Sequence, residues 1–190
     1  MNWDKTAEDY LAVASELFNA LREPAEEVAA EMVKALQAGG KIMVCGNGGS
    51  AADAQHMVGE LVNRFLLERK PYAGVALTTD TSVLTAIGND YGYEDVFSKQ
   101  VEALGQPGDV LVAISTSGNA ENVCRAVAAA KEAGVLTVGM TGGTGGRLTG
   151  LVDRCLTVSS TTSVPRIQEG HGFIIHALCQ IIEEQLAATD

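Results

Sequence analysis

The spacing of apolar residues changes character near residue 40. Before it, apolar side chains recur at helical intervals in residues 11–21 and 28–36, which predicts two helices within residues 6–38. We expect Pro24 in the first turn of the second helix and Gly39-Gly40 as its C-terminal cap. After residue 40, short apolar runs alternate with helical stretches. The pattern therefore predicts a helical N-terminal extension followed by an α/β unit.

Five of these runs are four to six residues long and rich in Val or Ile, which is typical of strands covered on both faces. Strand–helix alternation predicts a doubly wound, five-stranded parallel sheet with right-handed crossovers. We expect one domain over residues 1–190, with N-terminal helices in 1–39 and an α/β sandwich in 40–190. The predicted strands are residues 42–45, 74–77, 110–114, 135–140 and 155–158, and the predicted helices after residue 40 are 51–68, 81–103, 120–133, 147–151 and 165–187.

Charge and composition narrow the possible functions. The chain has 13 Lys and Arg against 24 Asp and Glu, a net charge of −11, so it lacks the basic surface of a nucleic-acid or anionic-membrane binder. An anionic ligand must therefore be held by local, uncharged donors. No apolar run is long enough to span a bilayer and the N-terminal segment has no apolar signal core. Because the four cysteines form no CxxC pair, we expect buried, reduced thiols in a cytoplasmic protein: Cys45, Cys124, Cys155 and Cys179.

Two loops that follow predicted strands have the chemistry of a phosphate site, and ligands of such sheets bind beyond strand ends. Residues 46–50 read Gly-Asn-Gly-Gly-Ser, where glycines allow close backbone approach and Ser50 is expected to cap the next helix. Residues 115–119 read Ser-Thr-Ser-Gly-Asn and supply three hydroxyls before another helix. Each loop alone also fits a plain turn or cap, and neither matches a GxGxxG or Walker A motif. A third glycine cluster at 141–146 is expected to be a flexible connection.

The three histidines lie on two predicted helices beside other polar residues. His56 and Glu60 are four residues apart, so they share one helix face, although such a pair is often only a surface pair. On the last helix, Gln168, Glu169, His171 and His176 interrupt an apolar segment. Two readings remain open: a four-ligand zinc site that includes an amide oxygen, or an acid/base pair of Glu60 and His176. A histidine satisfied within the core is the plainer alternative for His176.

Together these motifs resemble the sugar isomerase (SIS) domain family, and within it the bacterial phosphoheptose isomerases. The resemblance covers nearly the whole chain, and it is specific only as a combination. Its carriers are residues 45–50 (Cys-Gly-Asn-Gly-Gly-Ser), His56 with Glu60, residues 88–90 (Gly-Asn-Asp), residues 108–119, and residues 166–169 (Arg-Ile-Gln-Glu) with His176.

The resemblance implies a flavodoxin-like α/β/α sandwich that assembles as a homotetramer with active sites at subunit interfaces. It implies a cytoplasmic aldose–ketose isomerase that converts D-sedoheptulose 7-phosphate to D-glycero-D-manno-heptose 7-phosphate through an enediol. That reaction would begin ADP-heptose biosynthesis for lipopolysaccharide or other surface glycans. The implied partners are a small sugar phosphate and copies of the chain itself, with no nucleic acid and no membrane.

The same resemblance assigns roles by motif match. Ser115, Thr116 and Ser117 would grip the phosphate, and Glu60 with His176 would transfer protons. One zinc ion per subunit is implied, with Glu60 serving both as ligand and as base, a tension that the sequence leaves open. The implied substrate-binding residues are Asn47, Gly48, Gly49, Ser50, Glu60, Asn89, Asp90, Ser115, Thr116, Ser117 and Gln168, and the implied zinc ligands are His56, Glu60, Gln168 and His176.

One position departs from the family pattern, and two rival functions stay open. Ala120 stands where the family often has serine, so we expect one phosphate contact fewer, worth about 0.5–1.5 kcal/mol. A non-catalytic SIS protein that binds the bacterial replication initiator shares both loops but lacks the equivalents of Glu60 and His176. The presence of both residues here favours the enzyme. A regulatory sugar-phosphate sensor is the second rival.

Overall fold

The computed structural model describes residues 2–188. Two helices precede the sheet, and the remaining helices alternate with strands. The helices are α1 (Trp3–Asn19), α2 (Arg22–Gln37), α3 (Gly49–Val62), α4 (Thr81–Asp90), α5 (Ser98–Leu104), α6 (Glu121–Glu132) and α7 (Val164–Ala187), with short 3-10 helices at Tyr93–Asp95 and Leu148–Gly150. The strands are β1 (Ile42–Gly46), β2 (Gly74–Ala76), β3 (Val110–Ile114), β4 (Leu136–Gly142) and β5 (Arg154–Val158).

The five strands form one parallel sheet in the order β2-β1-β3-β4-β5, which confirms the predicted doubly wound architecture. The chain winds outward in one direction from β1 and in the other from β3, so the topological switch point lies between these two strands. Gly46 at the end of β1 pairs in register with Ile114 at the end of β3. This register places the two candidate phosphate loops side by side.

Helices cover both faces of the sheet. Alternate strand residues, such as Val44 and Val112, pack against α1, α2, α3 and α7 in one core. Their neighbours, such as Met43 and Leu111, pack against α5 and α6 in the other. All residues of β1 and β3 are buried, as the uniformly apolar runs predict for central parallel strands.

Several predicted boundaries are wrong, each for a local reason. The third helix ends at Val62 and not at 68, because the backbone after it turns away to bond a distant carboxylate described below. The helix predicted over 81–103 is split, because Gly92 takes a φ of +104°, which a continuous right-handed helix does not allow. The fourth strand runs on to Gly142.

The predicted ends of α2 agree better with the structure. Pro24 lies in the first turn, where its missing N–H removes no helical bond. Gly39 adopts a φ of +83°, and the N–H of Gly40 donates to the carbonyl of Ala35 at 2.9 Å. All four cysteines are free, and three of them are buried. Across residues 2–188, no helix combines the length and apolarity needed to cross a membrane.

Candidate functional site

The glycine loop after β1 forms the entry to α3. Gly48 takes a φ of +56° and occupies the N-cap position. Ser50, expected as the cap, is instead the second residue of the helix and is buried. The expectation is wrong because glycine alone fits the left-handed turn without strain, which moves the helix start towards the strand. Gly48 and Gly49 remain exposed at the positive end of the helix dipole.

Two residues that sequence reasoning missed hold this loop in place. The amides of Asn47 and Asn122 form a reciprocal pair, with N···O distances of 2.8 and 2.9 Å. The hydroxyl of Tyr93 also donates to Asn47 Oδ1, at 3.0 Å. Asn122 is buried on the first turn of α6, so the pair joins the loop after β1 to the helix that follows β3. The position of Asn122 two residues after Ala120, at the start of the helix that follows the hydroxyl loop, was the available sequence signal.

The hydroxyl loop after β3 is anchored at its base and open at its tip. Ser115 is buried, and its N–H donates to the carbonyl of Met140 at 2.9 Å. Thr116 is half-buried and Ser117 is exposed. Ala120 is the N-cap of α6 and makes no side-chain cap. The loop therefore offers hydroxyl and backbone donors without a positive charge.

The glycine cluster after β4 is a packed support of the hydroxyl loop, so the expectation of a flexible connection is wrong. Gly118 has a φ of +64°, and a Cβ there would overlap the carbonyl oxygen of Gly145. The N–H of Leu148 donates to the carbonyl of Gly118 at 2.9 Å, and the N–H of Arg147 donates to Asn119 Oδ1 at 3.1 Å. Glycine is needed here for close backbone contact.

Asn89 and Asp90 end α4 and are exposed. The Asn89 amide donates to Asp90 at 2.8 Å. Three residues after Asp90, Tyr93 reaches the glycine loop through its bond to Asn47. This connection places the Asn-Asp pair on the segment that borders the first loop.

The histidine and glutamate candidates converge where α3 passes α7. His56 Nε2 lies 3.1 Å from Glu60 Oε1 and 3.2 Å from His176 Nε2. The two imidazole rings meet edge to face, with centroids 4.9 Å apart. The side chains of His56 and Glu60 are 43% and 25% exposed, so the group is open to ligand. Phe65 covers the other side of His176, its ring centroid 5.6 Å away.

The chemistry and spacing of these three residues fit a metal ion. One ligand atom from each residue lies within 4.8 Å of the others. Two imidazole nitrogens and one carboxylate oxygen are a donor set that zinc prefers, and three protein ligands with an open fourth position are typical of catalytic zinc. The residues therefore suit zinc, with room for a further ligand.

Gln168 does not join this group within one chain. Its amide lies over Gly49, where a Cβ would collide with it. Gly49 precedes His56 by seven residues, or about 10 Å of helix axis. Within one chain, Gln168 therefore lies apart from His56, Glu60 and His176, since two turns of α7 separate Gln168 from His176.

His171 is the core histidine of the chain. It is fully buried, and its Nε2 lies 2.9 Å from the carbonyl oxygen of Thr141. Burial lowers the pKa of His171, so its neutral form is favoured. Glu169 forms an ion pair with Arg166 on the same helix. Neither His171 nor Glu169 faces the His56–Glu60–His176 group.

Asp53 adds a partly buried carboxylate to the same face of the molecule. It lies about one turn before His56 on α3. Burial raises the pKa of Asp53, and attraction to His56 offsets part of that rise. Sequence reasoning missed it, because burial of a helical aspartate depends on the packing around α3.

The chain matches known proteins over most of its length. The family model described as SIS domain matches residues 7–142. A phosphoheptose isomerase of Rhodospirillum rubrum is 54% identical over 85% of this chain and 86% of its own length. One from Nitratidesulfovibrio vulgaris is 59% identical over 84% of this chain and 76% of its own.

Solved structures agree with these sequence matches. A phosphoheptose isomerase from Neisseria gonorrhoeae superposes with a TM-score of 0.89 at 46% identity, covering 95% of this chain and 96% of that one. Another, from Francisella tularensis, has a TM-score of 0.92 at 40% identity with the same coverage. The chain therefore belongs to the SIS-domain family, among its phosphoheptose isomerases, and is an isomerase.

Proposed function

We propose that this isomerase converts D-sedoheptulose 7-phosphate to D-glycero-D-manno-heptose 7-phosphate in the cytoplasm, as the first step of ADP-heptose biosynthesis for lipopolysaccharide or other surface glycans. The observation that carries the proposal is the convergence of His56, Glu60 and His176 within 4.8 Å in a chain of this family. Family membership and these three residues favour the enzyme over the initiator-binding protein and the sensor.

The uncharged loops after β1 and β3, residues 46–50 and 115–119, bind the sugar phosphate. Ser115, Thr116 and Ser117 hold the phosphate through hydroxyl and backbone donors, which suits a chain of net charge −11. The adjoining loops contact the sugar hydroxyls. The residues assigned to the sugar are Asn47, Gly48, Gly49, Ser50, Asn89 and Asp90.

Glu60 and His176 carry the proton transfers. Glu60 removes a proton from C1 of the open-chain ketose, and the electron pair of that C–H bond forms the C1–C2 double bond. His176 donates a proton to O2, giving the enediol. Glu60 then returns its proton to C2 while O1 loses its proton to His176, which leaves an aldehyde at C1. Both groups end in their starting protonation states.

A zinc ion in each subunit would be held by His56, Glu60 and His176, with Gln168 as a further ligand. When bound, zinc supplies Lewis-acid polarisation of the C2 carbonyl. Glu60 can bind through one carboxylate oxygen and keep the other for the C1 proton. His176 would likewise hold the ion through one ring nitrogen and transfer the O2 proton through the other, so that each residue can take both of its proposed roles.

Because Gln168 lies over Gly49 in its own chain, the proposal has it complete the site of a neighbouring subunit, in a homotetramer with active sites at subunit interfaces. The exposed apolar side chains of the helical layer support the same assembly. Trp3 is 73% exposed and Phe18 is 62% exposed, and the Phe18 and Phe173 rings stack edge to face at 5.2 Å on the surface. Light scattering of the purified protein measures the assembly directly, and a monomeric mass contradicts this part of the proposal.

The activity is tested by following sedoheptulose 7-phosphate conversion by the purified chain and by Glu60→Gln. We expect turnover in the native protein and a loss of about 100- to 10,000-fold in the variant, because a general base is removed. Glu68→Gln is the matched control, since the Glu68 side chain is 93% exposed. Ligand binding without turnover in the native chain overturns the proposal and favours the sensor. Metal analysis of protein purified without chelator tests zinc separately.

A further inference from the structure

A buried ion pair lies directly behind the His56–Glu60–His176 group. Arg69 Nε donates to Glu183 Oε1 at 3.0 Å, and the two side chains are only 3% and 1% exposed. Arg69 belongs to the irregular segment 63–73, and Glu183 lies two turns after His176 on α7. Buried ion pairs are weak sources of stability, because desolvation offsets much of the attraction. More informative here are the backbone groups that each partner of the pair holds in place.

Arg69 holds the end of α3 that carries Glu60. Its Nη2 donates to the backbone carbonyl of Glu60 at 2.8 Å, and its Nη1 donates to that of Leu61 at 2.9 Å. The guanidinium also lies 3.9 Å from the ring centroid of Tyr72. A cation at a helix C-terminus satisfies carbonyls that have no partner in the helix. Arg69 therefore fixes the last turn of α3, including the backbone of Glu60.

Glu183 holds the residue that packs on His176. Its carboxylate accepts the backbone N–H groups of Phe65, Leu66 and Leu67 at 3.0, 2.7 and 2.9 Å. Phe65 in turn covers the His176 ring. Burial alone would raise the pKa of Glu183, but these donors and Arg69 outweigh it and hold the pKa below its ordinary value. Glu183 is therefore an anion that anchors the Phe65 backbone.

We propose that Arg69 and Glu183 are positioning residues that set the distance between the Glu60 carboxylate and the His176 imidazole. The inference rests on the proposed function of that pair. One arm of the ion pair fixes the backbone of Glu60, and the other fixes the aromatic neighbour of His176. A misplacement of about 1 Å costs up to about 100-fold in rate when two groups must act on one substrate.

The test uses Arg69→Lys and Glu183→Asp, which keep both charges but change the reach and shape of the contact. We expect kcat to fall by about 10- to 100-fold while KM changes less than about threefold, because the phosphate loops are untouched. Competition with a chelator gives a second measurement, and we expect weaker zinc retention in both variants.

The chain offers a matched control at the opposite edge of the sheet. Asp109 is 3% exposed, pairs with Lys41 and accepts the backbone N–H groups of Lys41 and Gln106, each at 2.9 Å. Lys41→Arg and Asp109→Glu disturb this pair in the same way, before the first residues of β1 and β3. We expect a similar loss of stability in urea with kcat unchanged.

The proposal is overturned if kcat falls equally in the Arg69–Glu183 variants and the Lys41–Asp109 variants. It is also overturned if the Arg69 and Glu183 variants change only KM. Retained turnover in Glu60→Gln defeats the proposed function itself, which separates the two failures. If Arg69→Lys or Glu183→Asp does not fold, Phe65→Leu tests the same link, because it leaves the ion pair intact and removes the ring from His176. A lowered kcat at constant KM supports the proposal there, and an unchanged kcat overturns it.

Discussion

The loops at the carboxyl ends of β1 and β3 (the sheet edge) and the contact between α3 and α7 differ in their chemistry and in what holds them in place. At the edge, the loops 46–50 and 115–119 carry no charged side chain, and they are held by internal bonds such as the Asn47–Asn122 amide pair. At the helix contact, titratable groups face solvent, and a buried ion pair lies behind them. The first region is preorganised by backbone packing, and the second by electrostatic anchoring.

Under the proposed function, the difference between these two regions separates substrate binding from chemistry. A rigid, neutral edge can hold a phosphate without changing its own protonation, so changes there act mainly on substrate affinity. Groups that exchange protons or bind metal must be exposed to the reacting atoms, so changes there act mainly on turnover. Variants in each region should therefore affect KM and kcat differently.

The largest effect is expected at the helix contact. His176→Gln removes an imidazole that faces His56 and Glu60, and we expect kcat to fall by about 100- to 10,000-fold with little change in KM or in the melting temperature. His171→Gln on the same helix is the matched control. Because His171 is fully buried, it should lower the melting temperature and leave kcat of the folded fraction intact. Equal kcat losses in both variants contradict the separation.

Gly118→Ala tests the hydroxyl loop at the sheet edge. The left-handed φ and the overlap with the Gly145 carbonyl force the hydroxyl loop to move, with an expected destabilisation of about 2 kcal/mol or more and a raised KM. Gly150→Ala is the control, since a Cβ there meets open space. Urea unfolding and steady-state kinetics check both variants. A variant whose kcat falls while KM is constant runs against the assignment of this loop to binding.

Glu183, which anchors the segment after α3, predicts that the free energy of unfolding depends on pH. The pKa of Glu183 is held below its ordinary value, so its stabilisation is complete above the unfolded-state pKa and is lost as pH falls through the folded-state pKa. The free energy of unfolding of the native chain should therefore approach that of Glu183→Gln as the pH drops below about 4. Urea titrations at descending pH measure the difference in unfolding free energy between the native chain and Glu183→Gln. A gap that widens on acidification shows that Glu183 is not an anchored anion.

The smallest effect is expected from Ala120→Ser. Ala120 caps α6 without a side-chain bond, so serine should add about 1 kcal/mol of stability. A new hydroxyl contact to phosphate would also lower KM, by no more than about tenfold. Thermal unfolding and KM together distinguish the two gains. A stability gain with unchanged KM assigns position 120 to helix capping alone.

The sheet was predictable because buried parallel strands require uniformly apolar runs, and those runs are visible at residues 42–45 and 110–114. The pairing of His56 with Glu60 was equally accessible, since four residues on one helix place two side chains on one face. The pairing of His176 with Glu60 was one of two open readings of the residues, and the resemblance favoured it. Periodicity alone did not distinguish His176 from His171, because both lie within the same apolar helix.

Other features depended on contacts that are distant in sequence. Nothing around Arg69 marks it as buried, and its partner Glu183 lies 114 residues away. The same contact ends α3 at Val62, since the carboxylate takes the N–H groups of Phe65, Leu66 and Leu67 that a longer helix would use. The separation of Gln168 from His176 within one chain also depended on the tertiary structure, because motif matching does not measure distance along a helix.

The strands, the helix faces and the chemical character of each loop could be predicted from the sequence, because these follow from local periodicity and side-chain type. The folded packing was needed to show that His176, rather than His171, joins His56 and Glu60, that Glu183 is a buried anchor, and that Gly118 touches Gly145. Those outcomes depend on packing between segments far apart in the chain, where small differences in position determine whether polar groups meet.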